Sequence, residues 1–323
     1  MTIRTPICDL LGIEVPVLLA GMGGVAFAEV TAAVSNAGGF GCLGMAGQSV
    51  RTIREQMKKV RDLTDKPFGV DLLTALPEQL EAAVDAIVEG GATAFVSGLG
   101  VPASVIGRFH AAGLKVMSVC GTVAHAVNAD RAGCDAVIAQ GTEGGGHTGK
   151  VAGMALIPQV VDAVKCPVIA AGSIVDGRGL AVALAFGAQG VWMGTRFIAS
   201  EEANAGRFYK EALVRANETD TIISRCYSGK TMRVVRNPYV DDWERRPQDI
   251  APFPQQAAVS SQAGVMGTLA GVTDEADPAR MCMPAGQGTG AIHEILPAGE
   301  IVRRVVAEAE ATIGRLAAFA PAR

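Results

Sequence analysis

The chain has 323 residues, 49% hydrophobic and 19% charged, so it can bury a large core and is neither a disordered nor a fibrous chain. Its formal net charge is −4, and no dense run of Lys and Arg supports a nucleic-acid partner. The seven cysteines are scattered without a C-x-x-C pair, which argues against a disulfide framework or a metal site and favours a cytoplasmic location. The apolar run Val15–Ala20 is too short to span a bilayer and lacks the basic start of a signal peptide, so we expect no membrane partner.

Short apolar segments recur along the chain up to Phe197, each ending in small or polar residues and followed by a stretch compatible with a helix. They do not alternate with polar residues, as is typical of parallel strands that are covered on both faces. The predicted strands are Val15–Ala20, Phe40–Met45, Phe68–Leu73, Ala94–Leu99, Lys115–Cys120, Ala136–Gln140, Val168–Ala171 and Gly190–Gly194.

Helical patterns separate these strands, and several of them end on a glycine, which is a common helix stop. The predicted helices include Ala26–Ala37, Val50–Leu63, Glu78–Glu89, Ala103–Ala112 and Gly179–Phe186. Strands that alternate with helices over about 200 residues predict an α/β fold, a closed (β/α)8 barrel of the TIM type. An open, doubly wound sheet is the alternative.

The alternation ends after Phe197. Residues 198–290 contain clustered prolines, several arginines and few strand signals, so we predict an additional, mostly helical or irregular segment that covers the C-terminal face of the barrel. The pattern of Ile301–Ala318 predicts a final amphipathic helix. This divides the chain into a barrel of residues 1–197 and 291–323 and an insertion of residues 198–290. A single domain of residues 1–323 is the alternative.

The segment Gly21–Ala26 directly follows the first predicted strand. Its G-x-G-x-x-A spacing matches a dinucleotide-binding fingerprint, but that fold needs a carboxylate after the second strand, where this chain has Met45–Gln48. We therefore favour a turn whose backbone approaches the face of a flat ring. A tight turn without a ligand is the alternative.

A second glycine-rich segment, Gln140–Gly149, follows the sixth predicted strand and contains five glycines. Glycine is costly to order, so such a loop indicates backbone that must approach a ligand closely. His147 is its one side chain that exchanges protons near neutral pH, and we assign it a catalytic or substrate-anchoring role. Glu143 is more ambiguous, because a helix cap or a solvated position is as compatible with it as a role at the ligand.

Small residues follow the seventh and eighth predicted strands, where barrels of this type commonly bind phosphate through backbone N–H groups. These candidate phosphate ligands are Gly172, Ser173, Gly194 and Thr195. Arg178 or Arg196 could add positive charge, although each is equally compatible with a surface or packing role.

At these segments the chain resembles the nitronate monooxygenase family, formerly called the 2-nitropropane dioxygenases, and its relatives among FMN-dependent enoyl reductases and NADH:quinone reductases. The likeness extends from about Thr5 to Phe197 and is carried by the following segments: Ala20–Gly23, Lys66–Asp71, Gln140–Gly149, Ala170–Gly179 and Met193–Phe197. The resemblance implies a TIM barrel that binds FMN and uses no catalytic metal.

The resemblance also implies roles for individual residues. His147 matches the active-site histidine of the family. The positions that match flavin contacts are Met22, Gly23, Gly24, Asp71, Gln140 and Gly145, and those that match phosphate contacts are Gly172, Ser173, Gly194 and Thr195. Asp71 stands where the family usually has Asn. The first loop reads Ala-Gly-Met-Gly, closer to the Gly-Gly-Met of the reductase relatives than to the Ala-Pro-Met of nitronate oxidisers.

We therefore predict an FMN-dependent oxidoreductase, specifically a nitronate monooxygenase that oxidises alkyl nitronates with O2. One alternative is an NAD(P)H-dependent reductase of a quinone or an enoyl thioester, because the arginines of residues 225–246 suit a phosphate-bearing substrate. A further alternative is a non-catalytic barrel that binds flavin or a phosphorylated metabolite. The expected partners are a small-molecule substrate and O2, and the sequence is compatible with a homodimer.

Overall fold

The computed structural model describes residues 3–75, 77–267 and 276–319. Eight parallel strands follow one another around a ring in chain order. They are β1 (Val17–Leu19), β2 (Gly41–Gly44), β3 (Phe68–Leu73), β4 (Ala94–Gly98), β5 (Lys115–Cys120), β6 (Ala136–Gln140), β8 (Val168–Ala171) and β9 (Gly190–Met193). Three further strands form a separate antiparallel sheet: β7 (Gly146–His147), β10 (Thr221–Ser224) and β11 (Met232–Val235).

The ring closes between its first two strands. The Leu19 N–H donates to the Phe40 carbonyl at 2.9 Å, and the Phe40 N–H donates to the Val17 carbonyl at 3.0 Å. The predicted (β/α)8 barrel is therefore confirmed. The open doubly wound sheet is excluded, because such a sheet has two free edges.

Helices surround the barrel. They are α1 (Pro6–Leu11), α2 (Ala28–Asn36), α3 (Val50–Leu63), α4 (Pro77–Glu89), α5 (Ile106–Ala111), α6 (Val123–Arg131), α7 (Gly153–Ala163), α8 (Gly177–Ala185), α9 (Thr195–Ile198), α10 (Arg207–Arg215), α11 (Pro238–Glu244), α12 (Gln255–Gln262) and α13 (Ala298–Ala317). Two short 3₁₀ helices lie at Pro247–Asp249 and Gln287–Ala291. The final amphipathic helix predicted from the sequence is α13, which packs its apolar face on the barrel.

Alternating strand residues build two cores. On β6, Ile138 points into the barrel interior, whereas Val137 joins the layer between strands and helices. Helix α1 contributes Ile7 and Leu11 to the interior cluster, so it fills the N-terminal end of the barrel. Each fully buried Ile or Leu contributes about 2 kcal/mol. Because one end of the barrel is packed solid, a ligand site is confined to the C-terminal end of the strands.

Residues 198–290 contain more regular structure than the sequence predicts. Helices α10, α11 and α12 fit the expectation of a mostly helical segment, but the strands β10 and β11 were not predicted. Strand β11 pairs with β7, which lies in the loop after β6, with Met232 opposite His147 and Arg233 opposite Gly146. A sheet therefore joins this segment to the loop after β6. Part of the segment, residues 268–275, lies outside the described residues.

Within residues 3–75, 77–267 and 276–319, no helix is both long and apolar enough to cross a bilayer. Over the same residues, no group of three or more His, Cys, Asp or Glu side chains is arranged to hold a metal ion. All seven cysteines are free thiols, and only Cys166 is more than marginally exposed.

Candidate active site

A cavity of about 410 Å³ lies at the C-terminal ends of the barrel strands. Of the predicted site residues, the following line it: Met22, Gly23, Asp71, Gln140, Gly145, His147, Gly172, Ser173, Gly194 and Thr195. Gly24 is not among the lining residues, and its carbonyl instead accepts a hydrogen bond from Asn204 Nδ2 at 2.7 Å. The structure thus brings together segments that are far apart in the chain, as their positions after barrel strands predict.

The loop after β6 is held from both sides. Gln140 Nε2 donates to the His147 carbonyl at 2.9 Å, which folds the loop back on its own strand. From the insertion, the buried Arg233 donates through Nε and Nη2 to the Thr142 carbonyl at 3.2 and 3.1 Å. A Cβ on Gly145 would lie 2.7 Å from the carbonyl carbon of Ala285, so only glycine allows this close approach. The backbone around His147 is therefore well fixed.

Glu143 lies in the same loop but does not line the cavity. Its carboxylate oxygens accept hydrogen bonds from the Gly153 N–H at 3.0 and 3.1 Å, at the start of α7. Of the roles that the sequence left open, the structure shows the helix cap. An acidic side chain also stabilises a helix N-terminus through the helix dipole.

His147 is half-buried in the cavity wall, and its Nε2 lies 2.9 Å from Ser228 Oγ. Burial, with a smaller contribution from the charge of Lys230, lowers the pKa of the imidazole to about 4. The ring is therefore neutral at pH 7. Because Ser228 occupies Nε2 and no described residue contacts Nδ1 through a hydrogen bond, Nδ1 is the ring nitrogen left for a ligand.

Sequence analysis missed Ser228 and Lys230. They lie in the turn between β10 and β11, and the buried Ser228 also exchanges hydrogen bonds with the Lys230 backbone at 3.3 Å. A signal was present, because a short turn containing Gly229 separates two runs rich in β-branched residues. This local sequence signal does not predict that the hairpin lies beside His147.

Four backbone N–H groups near the ends of β8 and β9 have no acceptor among the described residues. They belong to Gly172, Ser173, Gly194 and Thr195. Arg178 lies at the surface and pairs with Asp176, and Arg196 is buried and donates to the Ala199 and Glu294 carbonyls, both at 2.7 Å. Neither arginine lines the cavity. Any phosphate bound here would therefore be held by neutral donors.

The sequence model of nitronate monooxygenases matches residues 4–308, which is almost the whole chain. The chain belongs to the nitronate monooxygenase family. The protein is a flavin-dependent oxidoreductase, with the barrel architecture of that family.

Individual relatives point in two directions. A probable nitronate monooxygenase of Staphylococcus haemolyticus is 32% identical over 292 residues, covering 76% of this chain and 82% of the relative. The (3aS,4S,5R,7aS)-5-hydroxy-7a-methyl-1-oxo-octahydro-1H-indene-4-carboxyl-CoA dehydrogenase of Rhodococcus jostii is 40% identical over 243 residues, covering 75% of this chain and 69% of the relative. The solved structure of FabK from Thermotoga maritima has a TM-score of 0.90 and 36% identity, and covers 99% of this chain and 100% of that chain.

The cavity meets the requirements of the flavin mononucleotide used in this family. A flat ring needs a slot, and the glycines of the loops after β1 and β6 leave backbone rather than side chains at its walls. The polar edge of the ring needs hydrogen-bonding partners, which Asp71 and Gln140 can supply. The phosphate needs donors, which the four N–H groups provide.

The insertion forms the remaining wall of the cavity, and this wall is mostly apolar. Its lining side chains include Met232, Phe253, Ala257, Met266 and Cys282. Lys230 lies behind them with its Nζ 5.2 Å from the centre of the Phe253 ring. Phe253 lines the cavity, whereas Met281 and Met283 are buried in the core of the insertion. The site thus combines a polar floor on the barrel with an apolar wall.

Proposed function

We propose that the protein oxidises small alkyl nitronates with O2, using FMN bound in this cavity. The observation that carries the proposal is the neutral, well-fixed imidazole of His147 in an apolar cavity beside the cation of Lys230. A small anion suits these surroundings because the positive charge of Lys230 lies close behind the cavity wall, and an anion without a nearby opposite charge is costly to bury.

In this proposal the barrel residues hold the cofactor. The N–H groups after β8 and β9 bind the phosphate, and the loops containing Met22, Gly23 and Gly145 lie along the ring. Gln140 bonds the polar edge of the ring and fixes the loop of His147 at the same time. Bound FMN supplies the electron-accepting and O2-reacting chemistry of the reaction.

His147 anchors the substrate rather than removing a proton from carbon. A base with a pKa of about 4 retains a captured proton weakly at pH 7, so it suits a substrate that enters already ionised. In the tautomer that this requires, the Ser228 hydroxyl donates to Nε2, so that Nδ1 carries the ring proton and donates to a nitronate oxygen. The apolar wall excludes water and strengthens these interactions.

A second candidate is an NAD(P)H-dependent reductase of an enoyl thioester or a quinone. The cavity wall formed by Met232, Phe253 and Met266 is apolar, which favours a substrate with an apolar body. The Rhodococcus jostii relative is named for a carboxyl-CoA substrate, which supports the same candidate.

Anaerobic mixing of the FMN-loaded protein with one reactant at a time tests these proposals. We expect an alkyl nitronate alone to bleach the flavin absorbance, and NADH or NADPH to leave it unchanged. Bleaching by NADH or NADPH without a response to nitronate would support the reductase. No response to any of them would leave the non-catalytic flavin-binding barrel.

Substitution of His147 tests the role of the imidazole. We expect His147→Ala to lower turnover at least about 100-fold while the protein keeps its yellow colour. The matched control is His125→Ala, because His125 is exposed on α6 and does not line the cavity. Unchanged turnover in His147→Ala would remove this residue from the mechanism.

Three further predictions from the sequence belong to the same proposal. We propose that residues 198–290 act as the covering segment of the site, supported by their share of the cavity wall. We also propose a cytoplasmic location, in keeping with the free cysteines. Sedimentation analysis would test the homodimer.

A further inference from the structure

Asp71 is an unusual residue in the cavity wall. It lies on β3, only 7% of its surface is exposed, and its carboxyl forms no hydrogen bond or ion pair with any residue that the structure describes. Buried carboxyl groups normally have partners, because burying an unpaired charge is costly. An unpartnered carboxyl at a cofactor cavity therefore calls for a ligand that bonds it.

The carboxyl is enclosed by backbone. A Cβ on Gly21 would lie 2.2 Å from Asp71 Cβ and 2.7 Å from Oδ2, and a Cβ on Gly98 would lie 3.5 Å from Oδ1. Gly21 is therefore needed to leave room for the carboxyl, whereas a Cβ on Gly98 would be in ordinary van der Waals contact with it. This fixes the position of the side chain without any hydrogen bond to it.

The surroundings do not compensate a negative charge. Burial raises the pKa of Asp71 well above its usual range, and no basic group opposes this shift. From β2, the ionisable neighbour is the buried Cys42, whose own thiol pKa is raised well above its usual range. The other ionisable side chains that line the cavity, His147, Tyr209 and Cys282, form no ion pair or hydrogen bond with the carboxyl. Burial without a compensating charge therefore favours the neutral, protonated form of Asp71.

A neutral carboxylic acid has one O–H donor and keeps acceptor capacity on the other oxygen. Like a carboxamide, it therefore offers both a donor and an acceptor at the end of a short side chain. Carboxylic acids that are kept neutral by an apolar site act as donors to ligand oxygens. The pyrimidine end of a flavin ring presents carbonyl oxygens that accept such a bond.

We propose that Asp71 binds the flavin as the protonated acid and donates its O–H to a carbonyl oxygen at the pyrimidine end of the ring. This inference rests on the proposed FMN-dependent function.

Infrared spectroscopy tests the protonation state directly. The FMN-loaded wild-type protein at pH 7 should show the carbonyl stretch of a protonated carboxylic acid, and this band should be missing from FMN-loaded Asp71→Asn. Absence of the band from the wild-type protein would overturn the proposal. The asparagine variant is the matched control, since it preserves shape and donor capacity without an ionisable proton.

FMN affinity, measured by fluorescence quenching, tests the donated hydrogen bond. At pH 6, Asp71→Asn should bind FMN within about threefold of the wild-type protein, whereas Asp71→Ala should bind about tenfold more weakly, the value of one lost hydrogen bond. Equal affinity of Asp71→Ala and the wild-type protein would overturn the proposal. The proposal would also be overturned if the FMN affinity of the wild-type protein rose relative to that of Asp71→Asn between pH 6 and pH 10. Such a rise would indicate that Asp71 is an ionised carboxylate that accepts a hydrogen bond from the flavin.

The outcomes separate this inference from the function on which it rests. If FMN binds with these affinities but nitronate does not bleach it, the nitronate assignment fails and the role of Asp71 stands. If the wild-type protein does not bind FMN at all, both are overturned.

Discussion

The low pKa of His147 should make the protein less stable as the pH falls. An imidazole in the unfolded chain has a pKa of about 6.5, whereas burial lowers the pKa of the folded group to about 4. Between pH 6.5 and pH 4 the unfolded chain binds a proton that the folded protein does not. The free energy of unfolding therefore decreases as the pH is lowered through this range, and it does not depend on His147 above about pH 6.5. From pH 7 to pH 5 the expected loss is about 2 kcal/mol, at about 1.4 kcal/mol for each pH unit.

The measurement is urea unfolding of the wild-type protein and of His147→Gln, at pH 7 and at pH 5. Glutamine keeps a polar side chain that does not titrate, and every other ionisable group is shared by the two proteins. The stability of the wild-type protein relative to the variant should therefore fall by about 2 kcal/mol between the two pH values. If that difference is the same at both, or if the His147 ring resonance titrates near pH 6.5 by NMR, the reasoning about its burial is wrong.

Three other substitutions have expected outcomes. Lys230→Gln should raise the pKa of His147, seen by NMR, but only part of the way to 6.5, because burial is the larger cause; a lower pKa would contradict this. Ser228→Ala should lower turnover about tenfold at unchanged FMN content, since it removes the group that holds Nε2; wild-type turnover would show that the ring is held by other contacts. Gly21→Ala places a Cβ 2.2 Å from the Cβ of Asp71, so it should lower the free energy of unfolding by about 1–3 kcal/mol and weaken FMN binding. The control is Gly107→Ala on α5, whose new Cβ meets nothing within 4 Å and should have neither effect.

Most of the barrel could be predicted because buried parallel strands have a strong sequence signature. Four strands have the predicted bounds: Phe68–Leu73, Lys115–Cys120, Ala136–Gln140 and Val168–Ala171. Strand β1 is shorter than the predicted Val15–Ala20. Pro16 contributes to this difference, because it has no N–H to donate to a ladder, and the regular pairing begins at Val17.

The parts of the site that were missed depend on contacts between distant segments. Ser228 is 81 residues from the His147 that it bonds, and nothing in its local sequence specifies that pairing. Likewise, Gly24 follows directly on two lining residues, yet its carbonyl is turned to Asn204 in the insertion. Glycine patterns can show that backbone approaches a ligand, but the neighbouring segments decide which of the glycines does so.

The pairing of β11 with β7 restricts how the turn at residues 225–231 can vary in length. Met232 lies opposite His147 and lines the cavity, whereas the next residue, Arg233, points to the Thr142 carbonyl. Successive strand residues face opposite sides of a sheet. Adding or deleting one residue would therefore point the Arg233 guanidinium into the cavity and turn the Met232 side chain away from it. In homologues and in engineered chimaeras alike, this connection should therefore tolerate length changes in steps of two residues.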